Sequence, residues 1–335
     1  MTTKNNFLMR DLYPLKFKPI PREMIWGGDR LRKLFNKPFP SESRIGESWE
    51  ISSVQDKVSL VSNGFLEGNS LQELIEVYMG DLVGDKVFEL FGTEFPLLVK
   101  LIDAQDDLSI QVHPGDELAA RRHNGRGKTE MWYILEAEPG ADLISGFNRK
   151  INQELFMEKL KDGKLLDIMN FEKVKPGDVF FIPSGRVHAI CKGIVLAEIQ
   201  QASDITYRLY DWNRVDASGN PRQLHLDLAM DAIDFNTYDD YRTNVEAKQN
   251  SPVLLADCQY FTTHLLGFEG KIVRDYSLLD SFVIYLCTKG ELSLDDGRVS
   301  TGVTKGDTVL IPAITGEVIL DAVAGSELLE VFIKT

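Results

Sequence analysis

The chain of 335 residues is poor in positive charge and has no long apolar run. Its 37 lysines and arginines are outnumbered by 51 acidic residues, which gives a formal net charge of -14. This balance argues against a nucleic-acid-binding protein and against binding to anionic membranes. No stretch approaches the ~18 consecutive apolar residues of a transmembrane helix, and residues 1–14 lack the basic and then apolar order of a secretory leader. We therefore expect a soluble, cytoplasmic protein with no nucleic-acid or membrane partner.

Cysteine and histidine are also scarce, with three and five residues respectively. Cys191, Cys258 and Cys287 are far apart in sequence and each has apolar neighbours. Free buried thiols are therefore expected, rather than a disulfide framework or a metal cluster. The small number of histidines gives weight to any pair of motifs that contains two of them.

Two of the histidines lie in stretches with the residue order of a metal site. The hexapeptide Ser-Ile-Gln-Val-His-Pro, read as a strand, points Ser109, Gln111 and His113 to one face and its apolar residues to the other. Residues 177–188 read as a buried strand and a tight turn that places His188 on the next strand. The second stretch resembles the second half of a cupin metal motif.

Four side chains near these motifs supply two nitrogen and two oxygen ligands: Gln111, His113, Glu130 and His188. Such a set fits zinc with a further position left for water or substrate, although manganese, iron or cobalt would also accept it. The competing interpretation is that His113 and His188 are core histidines with satisfied hydrogen bonds. It suits either histidine alone, but two of them in matching motif halves favour a metal site.

A basic insertion, predicted to be a loop, spans residues 116–128 between the first histidine and the carboxylate. Its arginines are expected to lie on solvated surface. Lys128 is two residues before Glu130 and would share its face of a strand. The pattern therefore assigns Lys128 to the site and not to the surface.

Several motifs along the chain are those of one enzyme family. They are Trp-Gly-Gly at 26–28, Gly-Glu-Ser-Trp-Glu-Ile-Ser at 46–52, Pro-Leu-Leu-Val-Lys-Leu at 96–101, Leu-Ser-Ile-Gln-Val-His-Pro at 108–114, Lys-Thr-Glu-Met-Trp-Tyr at 128–133, and residues 183–188 and 198–208. Of these, Ser-Ile-Gln-x-His-Pro followed by Lys-x-Glu is highly specific to that family. On these residues the sequence resembles the type I mannose-6-phosphate isomerases (phosphomannose isomerases), in their short bacterial form, over most of its length.

The resemblance implies one zinc ion per chain, held by the same four ligands that the strand pattern selects. It also implies a sugar phosphate substrate, with mannose 6-phosphate and fructose 6-phosphate interconverted through an enediol. The family's active-site residues fall on Lys128, Arg208, Glu198 and Asp204, and its phosphate-side contacts on Ser109 and Lys100. The expected substrate contacts also include Arg214, where many relatives have a lysine. They include Trp26 as well, a candidate for the pocket wall or for the core.

Three side chains are candidates for the base that removes the carbon-bound proton. Lys128 would have to be unprotonated beside the metal, whereas Glu198 and Asp204 would already be ionised. The sequence leaves all three open. A phosphorylated substrate also needs local positive charge in so acidic a chain, and the lysines and arginines of the proposed site supply it.

A weak internal repeat predicts two β units. Residues 175–183 return as residues 304–312, with Gly-Asp-x3-Ile-Pro in the same register. The position five residues after the proline is His188 in the first copy and Glu317 in the second. The second unit is therefore predicted to be degenerate and metal-free.

The predicted fold is mainly β with helical insertions, made of two cupin-like (jelly-roll) β units. Residues 1–240 are expected to form the metal-binding catalytic domain and residues 241–335 the C-terminal domain. Apolar residues at three- and four-residue spacing predict helices within residues 70–91, 152–169 and 224–232.

Two other functions share this kind of fold, a metal-dependent oxygenase and a non-catalytic sugar-binding protein. An oxygenase needs open iron positions and a co-substrate site, and Gln111 as a fourth ligand argues for zinc instead. A sugar-binding protein has no need of Lys128, Glu198, Asp204 and Arg208 together. The sequence leaves the oligomeric state open.

Overall fold

A computed structural model describes residues 12–215, 219–246 and 248–335, and these residues form mainly β-strands. In chain order the first eleven strands are β1 (Leu15–Lys16), β2 (Ile20–Gly28), β3 (Ile45–Ile51), β4 (Ser53–Val54), β5 (Lys57–Val58), β6 (Leu97–Ala104), β7 (Ile110–Val112), β8 (Glu130–Ala137), β9 (Asp142–Phe147), β10 (Met169–Lys173) and β11 (Val179–Ile182). The remaining strands are β12 (His188–Ile190), β13 (Ile194–Gln201), β14 (Tyr207–Tyr210), β15 (Arg242–Thr243), β16 (Ser251–Asp257), β17 (Thr262–Asp275), β18 (Val283–Lys289), β19 (Glu291–Asp295), β20 (Ser300–Thr304), β21 (Thr308–Ile311) and β22 (Glu317–Phe332). The α-helices are α1 (Arg30–Phe35), α2 (Leu71–Tyr78), α3 (Gly80–Val83), α4 (Asp85–Phe91), α5 (Asp116–His123), α6 (Gln153–Lys161) and α7 (Leu226–Met230).

A seven-stranded and a five-stranded sheet pack face to face. The seven-stranded sheet has the order β15-β11-β8-β13-β6-β3-β2 and the five-stranded sheet the order β10-β9-β12-β7-β14. One buried cluster joins them, with Ile102, Trp132 and Leu196 from the first sheet and Leu143 and Ile190 from the second. Because the two sheets form a sandwich, side chains on their inner faces can converge on one site.

The alternation predicted for the first metal motif is confirmed. Ile110 and Val112 of β7 are fully buried in a second cluster, which also contains Phe156 of α6. Ser109 and Gln111 instead line a cavity between the two sheets. The polar residues of this short strand therefore face the site because its apolar residues are needed in the core on the other side.

The internal repeat corresponds to the same turn in two different sheets. Gly177 and Gly306 have φ values of 89° and 91°, which glycine adopts without steric cost. Asp178 and Asp307 follow, and each accepts a hydrogen bond at 2.9 Å from the backbone N–H three residues earlier. The strands after these turns are β11 in the seven-stranded sheet and β21 in a separate eight-stranded sheet.

The eight-stranded sheet contains residues from both ends of the described chain. Its order is β1-β21-β18-β22-β17-β16, and β19 extends it by pairing with β20 and β22. Leu15 of β1 pairs with Leu310 of β21, and the rings of Phe95 and Phe282 have centroids 4.6 Å apart within a core shared by both halves of the chain. The domain boundary between residues 240 and 241 stays a prediction.

Residues 70–91 form three helices where the apolar spacing predicts helix throughout. Met79 and Gly84 have φ values of 47° and 97°, and these positive values end α2 and α3 because a right-handed helix requires negative φ. The start of α2 is fixed by a capping box. The Ser70 hydroxyl accepts from the Glu73 N–H at 3.2 Å, and the Glu73 carboxylate accepts from the Ser70 N–H at 2.8 Å.

The other helix predictions are correct in part. Residues 152–169 contain α6, followed by a 3₁₀ turn at Leu165–Ile168, and residues 224–232 contain α7. The insertion at residues 116–128 was predicted to be a loop, but its first eight residues form α5. The sequence does not signal this helix because Ala119 is its only fully buried residue, which leaves no apolar stripe to detect.

In the described part of the chain, no helix is both long and apolar enough to cross a membrane.

Cys191, Cys258 and Cys287 are free thiols and are at least partly buried, as predicted. Burial raises the pKa of the Cys191 thiol and keeps it unreactive.

Candidate metal centre and active site

Eight of the predicted site residues line a cavity of about 220 Å³ between the two packed sheets: Trp26, Lys100, Ser109, Gln111, Lys128, Glu198, Asp204 and Arg208. From the five-stranded sheet, register places Gln111 of β7 directly opposite His188 of β12 on one side and Arg208 of β14 on the other. From the seven-stranded sheet, Glu198 of β13 lies opposite Lys100 of β6. Residues distant in sequence become neighbours because each pair of strands holds them side by side.

The two histidines present unprotonated nitrogens to each other and to a carboxylate. Nδ1 of His113 lies 2.9 Å from the carbonyl oxygen of Ile205, and Nδ1 of His188 lies 2.8 Å from that of Arg186. A carbonyl only accepts, so each ring carries its proton on Nδ1 and directs the lone pair of Nε2 inward. Burial lowers the pKa of both imidazoles, that of His188 to about 3, which keeps both rings neutral.

Both carboxylate oxygens of Glu130 face these lone pairs. Its Oε1 lies 3.3 Å from Nε2 of His188 and its Oε2 lies 3.5 Å from Nε2 of His113. Among the described residues Oε1 is buried without a hydrogen-bond donor. One ligand atom from each of the three residues falls within 4.8 Å of the others. Three acceptors turned toward one point fit a bound divalent cation, which would satisfy all of them at once.

Gln111 adjoins this cluster as predicted. Its amide nitrogen lies 3.3 Å from Nε2 of His188, and its Oε1 lies 3.4 Å from the Ser109 hydroxyl. A half-turn of the amide exchanges its oxygen and nitrogen, and would turn the oxygen toward the cluster. Gln111 can therefore complete a set of two nitrogen and two oxygen ligands.

Lys128 lies beside the candidate ligands Glu130 and His113, on the same side of the chain as Glu130, as its spacing predicts. Its Nζ is 2.5 Å from Oε2 of Glu130 and 3.1 Å from Nε2 of His113. The same Nζ is 4.0 Å from Oε1 of Glu198. Burial, followed by the charge of Glu198, raises the pKa of Glu130 to about 7, although Lys128 opposes this shift.

Lys100 and Glu198 form a buried ion pair that also lines the cavity. Nζ of Lys100 is 2.9 Å from Glu198 and 3.7 Å from Glu47, and the Trp132 indole donates to Glu198 at 2.9 Å. Burial alone would raise the pKa of Glu198, but Lys100 and Lys128 together lower it to about 2. Glu198 is therefore ionised, and the charge of Lys100 is shared between two carboxylates instead of being free for a phosphate.

Arg208 lines the cavity together with Asp204 and Thr206. It donates from Nη1 to the carbonyl oxygen of Gln223 at 2.8 Å. In the described part of the chain it forms no ion pair with the Asp204 carboxylate.

Arg214 is not among the residues that line the cavity, and its expected substrate contact stays a prediction. It pairs with Asp211 at 2.5 Å and donates to the carbonyl oxygen of Asp107. Arg222 lines the cavity instead, and Asp211 holds it through two hydrogen bonds of 2.7 and 2.5 Å. Sequence reasoning missed Arg222, since no periodic pattern connects it with the preceding strand.

Glu47 is a second wall residue that sequence reasoning missed. Its carboxylate accepts from the Trp49 indole at 2.6 Å. Alternation along β3 places Glu47 on the same face as Trp49, which also lines the cavity, and this spacing could have indicated it. Trp26 and Trp49 both line the cavity and are both almost fully buried, so each belongs to the cavity wall and to the hydrophobic core.

Known proteins share this sequence and this architecture. A model of the catalytic domain of type I phosphomannose isomerases matches residues 15–138. Mannose-6-phosphate isomerase ManA of Bacillus subtilis is 39% identical over 318 residues, 93% of this chain and 96% of that protein, and the mannose-6-phosphate isomerase of Streptococcus mutans is 35% identical over 304 residues, 89% and 92% of the two chains. The crystal structure of the mannose 6-phosphate isomerase from Bacillus subtilis matches with a TM-score of 0.86 and 33% identity, over 96% of this chain and 99% of that one. The mainly β, cupin-like fold predicted from the sequence is confirmed.

Proposed function

The chain belongs to the type I phosphomannose isomerase family and is a mannose-6-phosphate isomerase, and we propose that it works with one zinc ion through an enediol intermediate. The observation that carries the proposal is the buried group of ligand atoms from His113, His188 and Glu130 at the edge of a polar cavity. Two imidazole nitrogens with a carboxylate oxygen are a typical zinc donor set. We propose Gln111 as the fourth ligand.

The charges around the cavity suit an anionic substrate. Five cationic side chains line it, Arg22, Lys100, Lys128, Arg208 and Arg222, together with the three carboxylates of Glu47, Glu198 and Asp204. Glu130 beside Lys128 adds a fourth carboxylate when ionised, which leaves one positive charge in excess. A bound divalent cation would add to this excess, so the site attracts a sugar phosphate although the whole chain is acidic.

In the proposed reaction a proton leaves one carbon of the sugar and returns to its neighbour. When bound, zinc supplies Lewis-acid stabilisation of the negative charge that develops on oxygen. Arg208 lines the cavity and places a guanidinium where the enediolate charge can be stabilised. Lys128, beside two ligands and facing Glu198, is placed to exchange a proton with the substrate.

The environment of Glu198 argues that it orients its neighbours and is not the base. A carboxylate whose pKa is lowered to about 2 binds a proton only weakly, whereas an effective general base has a pKa near the working pH. Glu198 instead balances Lys100 and Lys128 and accepts from Trp132. Lys128 and Asp204 remain the candidates for proton transfer.

We propose that Arg222 binds the phosphate group. It lines the cavity near Arg208, and Asp211 holds it in place by accepting from both Nε and Nη2. Lys100 is less suited to this task, because its charge is balanced by Glu198 and Glu47. A fixed guanidinium binds phosphate through paired hydrogen bonds.

Arg222→Ala is expected to raise the KM for mannose 6-phosphate by about tenfold or more, with a smaller change in kcat. A hydrogen bond to a charged group contributes about 1.5–3 kcal/mol, and 1.4 kcal/mol corresponds to a factor of ten in affinity. Steady-state kinetics with mannose 6-phosphate measure the change, and turnover of unphosphorylated mannose should be unaffected. Arg44→Ala is a matched control, since Arg44 is exposed and pairs with Asp106 outside the cavity. Equal KM values for the two variants would remove Arg222 from the phosphate site.

The proposed function is tested by incubating the zinc-loaded protein with mannose 6-phosphate and following fructose 6-phosphate in a coupled assay. Conversion in both directions is expected, without consumption of oxygen. Oxygen uptake would favour the oxygenase alternative, and sugar phosphate binding without turnover would favour a non-catalytic binding protein.

A further inference from the structure

The backbone N–H groups of the two residues that flank Lys128 are held by two side chains. The N–H of Gly127 donates to Oδ1 of Asp116 at 2.8 Å, and the N–H of Thr129 donates to the side-chain oxygen of Gln201 at 2.9 Å. Gln201 donates from its amide nitrogen to the same Oδ1 of Asp116 at 3.0 Å. Asp116 and Gln201 are thus one connected clamp around the backbone that carries Lys128.

The clamp is closed by a residue of the C-terminal half of the chain. The hydroxyl of Tyr260 donates to the other carboxylate oxygen of Asp116 at 2.5 Å. Tyr260 lies between β16 and β17 of the eight-stranded sheet, and Asp116 is the first residue of α5. Burial alone would raise the pKa of Asp116, but the hydrogen bonds from Tyr260, Gly127 and Gln201 lower it. The Asp116 carboxylate is therefore ionised at neutral pH.

The packing around the clamp leaves little freedom. A Cβ at Gly127 would lie 2.8 Å from the backbone nitrogen of Asp116, so the two segments are in close contact. Gln201 is almost fully buried. The Lys128 ammonium, at 2.5 Å from Glu130 and 3.1 Å from His113, depends on this backbone for its position.

We propose that Asp116, Gln201 and Tyr260 form a brace that positions Lys128 against the metal centre, and that the eight-stranded sheet contributes to catalysis through the Tyr260 hydroxyl. The expected loss of activity rests on the proposed function, whereas the expected loosening of the backbone at residues 127–129 does not. A displacement of about 1 Å in a reacting group can lower a rate by about a hundredfold. Loss of one hydrogen bond of the brace is expected to displace Lys128 by less than this. The loss should lower kcat and leave KM unchanged, because Lys128 acts in the chemical step.

Tyr260→Phe removes the hydroxyl and keeps the ring. We expect kcat to fall by about tenfold, with the KM for mannose 6-phosphate and the zinc content unchanged. Tyr133→Phe is the matched control, because the Tyr133 hydroxyl also bonds to the eight-stranded sheet, at Glu327 and 2.7 Å, away from residues 127–129. The control should keep its kcat. Equal kcat values for the two variants would overturn the kinetic part of the proposal.

A double variant separates positioning from general stabilisation. In the Lys128→Met background, Tyr260→Phe should leave the residual kcat unchanged, because the brace acts through the lysine. A further tenfold loss in that background would show that Tyr260 acts on the site by another route and would contradict the proposal.

Amide hydrogen exchange tests the brace without any turnover. The peptide that contains residues 127–129 should exchange faster in Tyr260→Phe than in the wild-type protein, and no faster in Tyr133→Phe. Unchanged exchange would overturn the brace whatever the activity of the enzyme. Faster exchange in a protein without isomerase activity would instead support the brace and reject the proposed function.

Discussion

His188→Ala is expected to lose both tight zinc binding and isomerase activity, with kcat/KM lowered by about a thousandfold. The side chain is almost completely buried, and its Nε2 faces Glu130 at 3.3 Å while its Nδ1 is fixed by a backbone carbonyl. Its removal takes one of four proposed ligands from the ion. A Lewis acid supplies several kcal/mol of transition-state stabilisation, and about 4 kcal/mol corresponds to a thousandfold in rate.

Elemental analysis of the purified variant and the coupled assay measure the two effects together. His264→Asn is the matched control, because His264 pairs with Glu330 in the eight-stranded sheet and asparagine can still donate to that carboxylate. The control should retain one zinc ion and normal activity. His188→Gln keeps most of the buried volume and separates ligand loss from misfolding. Full zinc occupancy in both His188 variants would reject this residue as a ligand.

Lys128→Met and Arg208→Ala are each expected to lower kcat by about a hundredfold while zinc stays bound. Removal of one positioned group that stabilises developing charge costs ~3 kcal/mol. The effect should exceed any rise in KM, because only interactions stronger in the transition state accelerate the chemical step. Lys128 approaches Glu130 and His113 without being a ligand itself, and Arg208 lies in the cavity wall.

Steady-state kinetics with zinc analysis of the same samples test both variants. Lys173→Met, at an exposed lysine of β10 outside the cavity, serves as the control for loss of an ammonium group and should behave as wild type. A near-normal kcat with zinc retained would remove the catalytic role of the residue concerned. For Lys128, that result would assign proton transfer to Asp204.

The sequence predicts those parts of the site that depend on local strand geometry. Alternation along β7 and the residue after it selects Gln111 and His113, and the turn after β11 delivers His188 to the start of β12. Spacing alone placed Lys128 beside Glu130, and the structure shows that contact. Each of these inferences needs only the two-residue period of a strand or the geometry of one turn.

The rest of the site depends on contacts between segments far apart in sequence. Arg222 reaches the cavity from a segment with no periodic pattern, and Asp211 orients it. Tyr260 and Asp116 are 144 residues apart and meet only because the eight-stranded sheet packs near α5. A single sequence carries no local signal for such contacts, and for the same reason the pairing of Lys100 with Glu198 could not be predicted.

Titration of the metal-free protein with zinc tests the central claim most directly. Initial rates of mannose 6-phosphate isomerisation should rise linearly with added zinc and reach a plateau at one ion per chain, where His113, His188, Glu130 and Gln111 are saturated. Full activity in the rigorously metal-free protein, or a plateau only at two ions per chain, would contradict an isomerase that works with a single ion at this site.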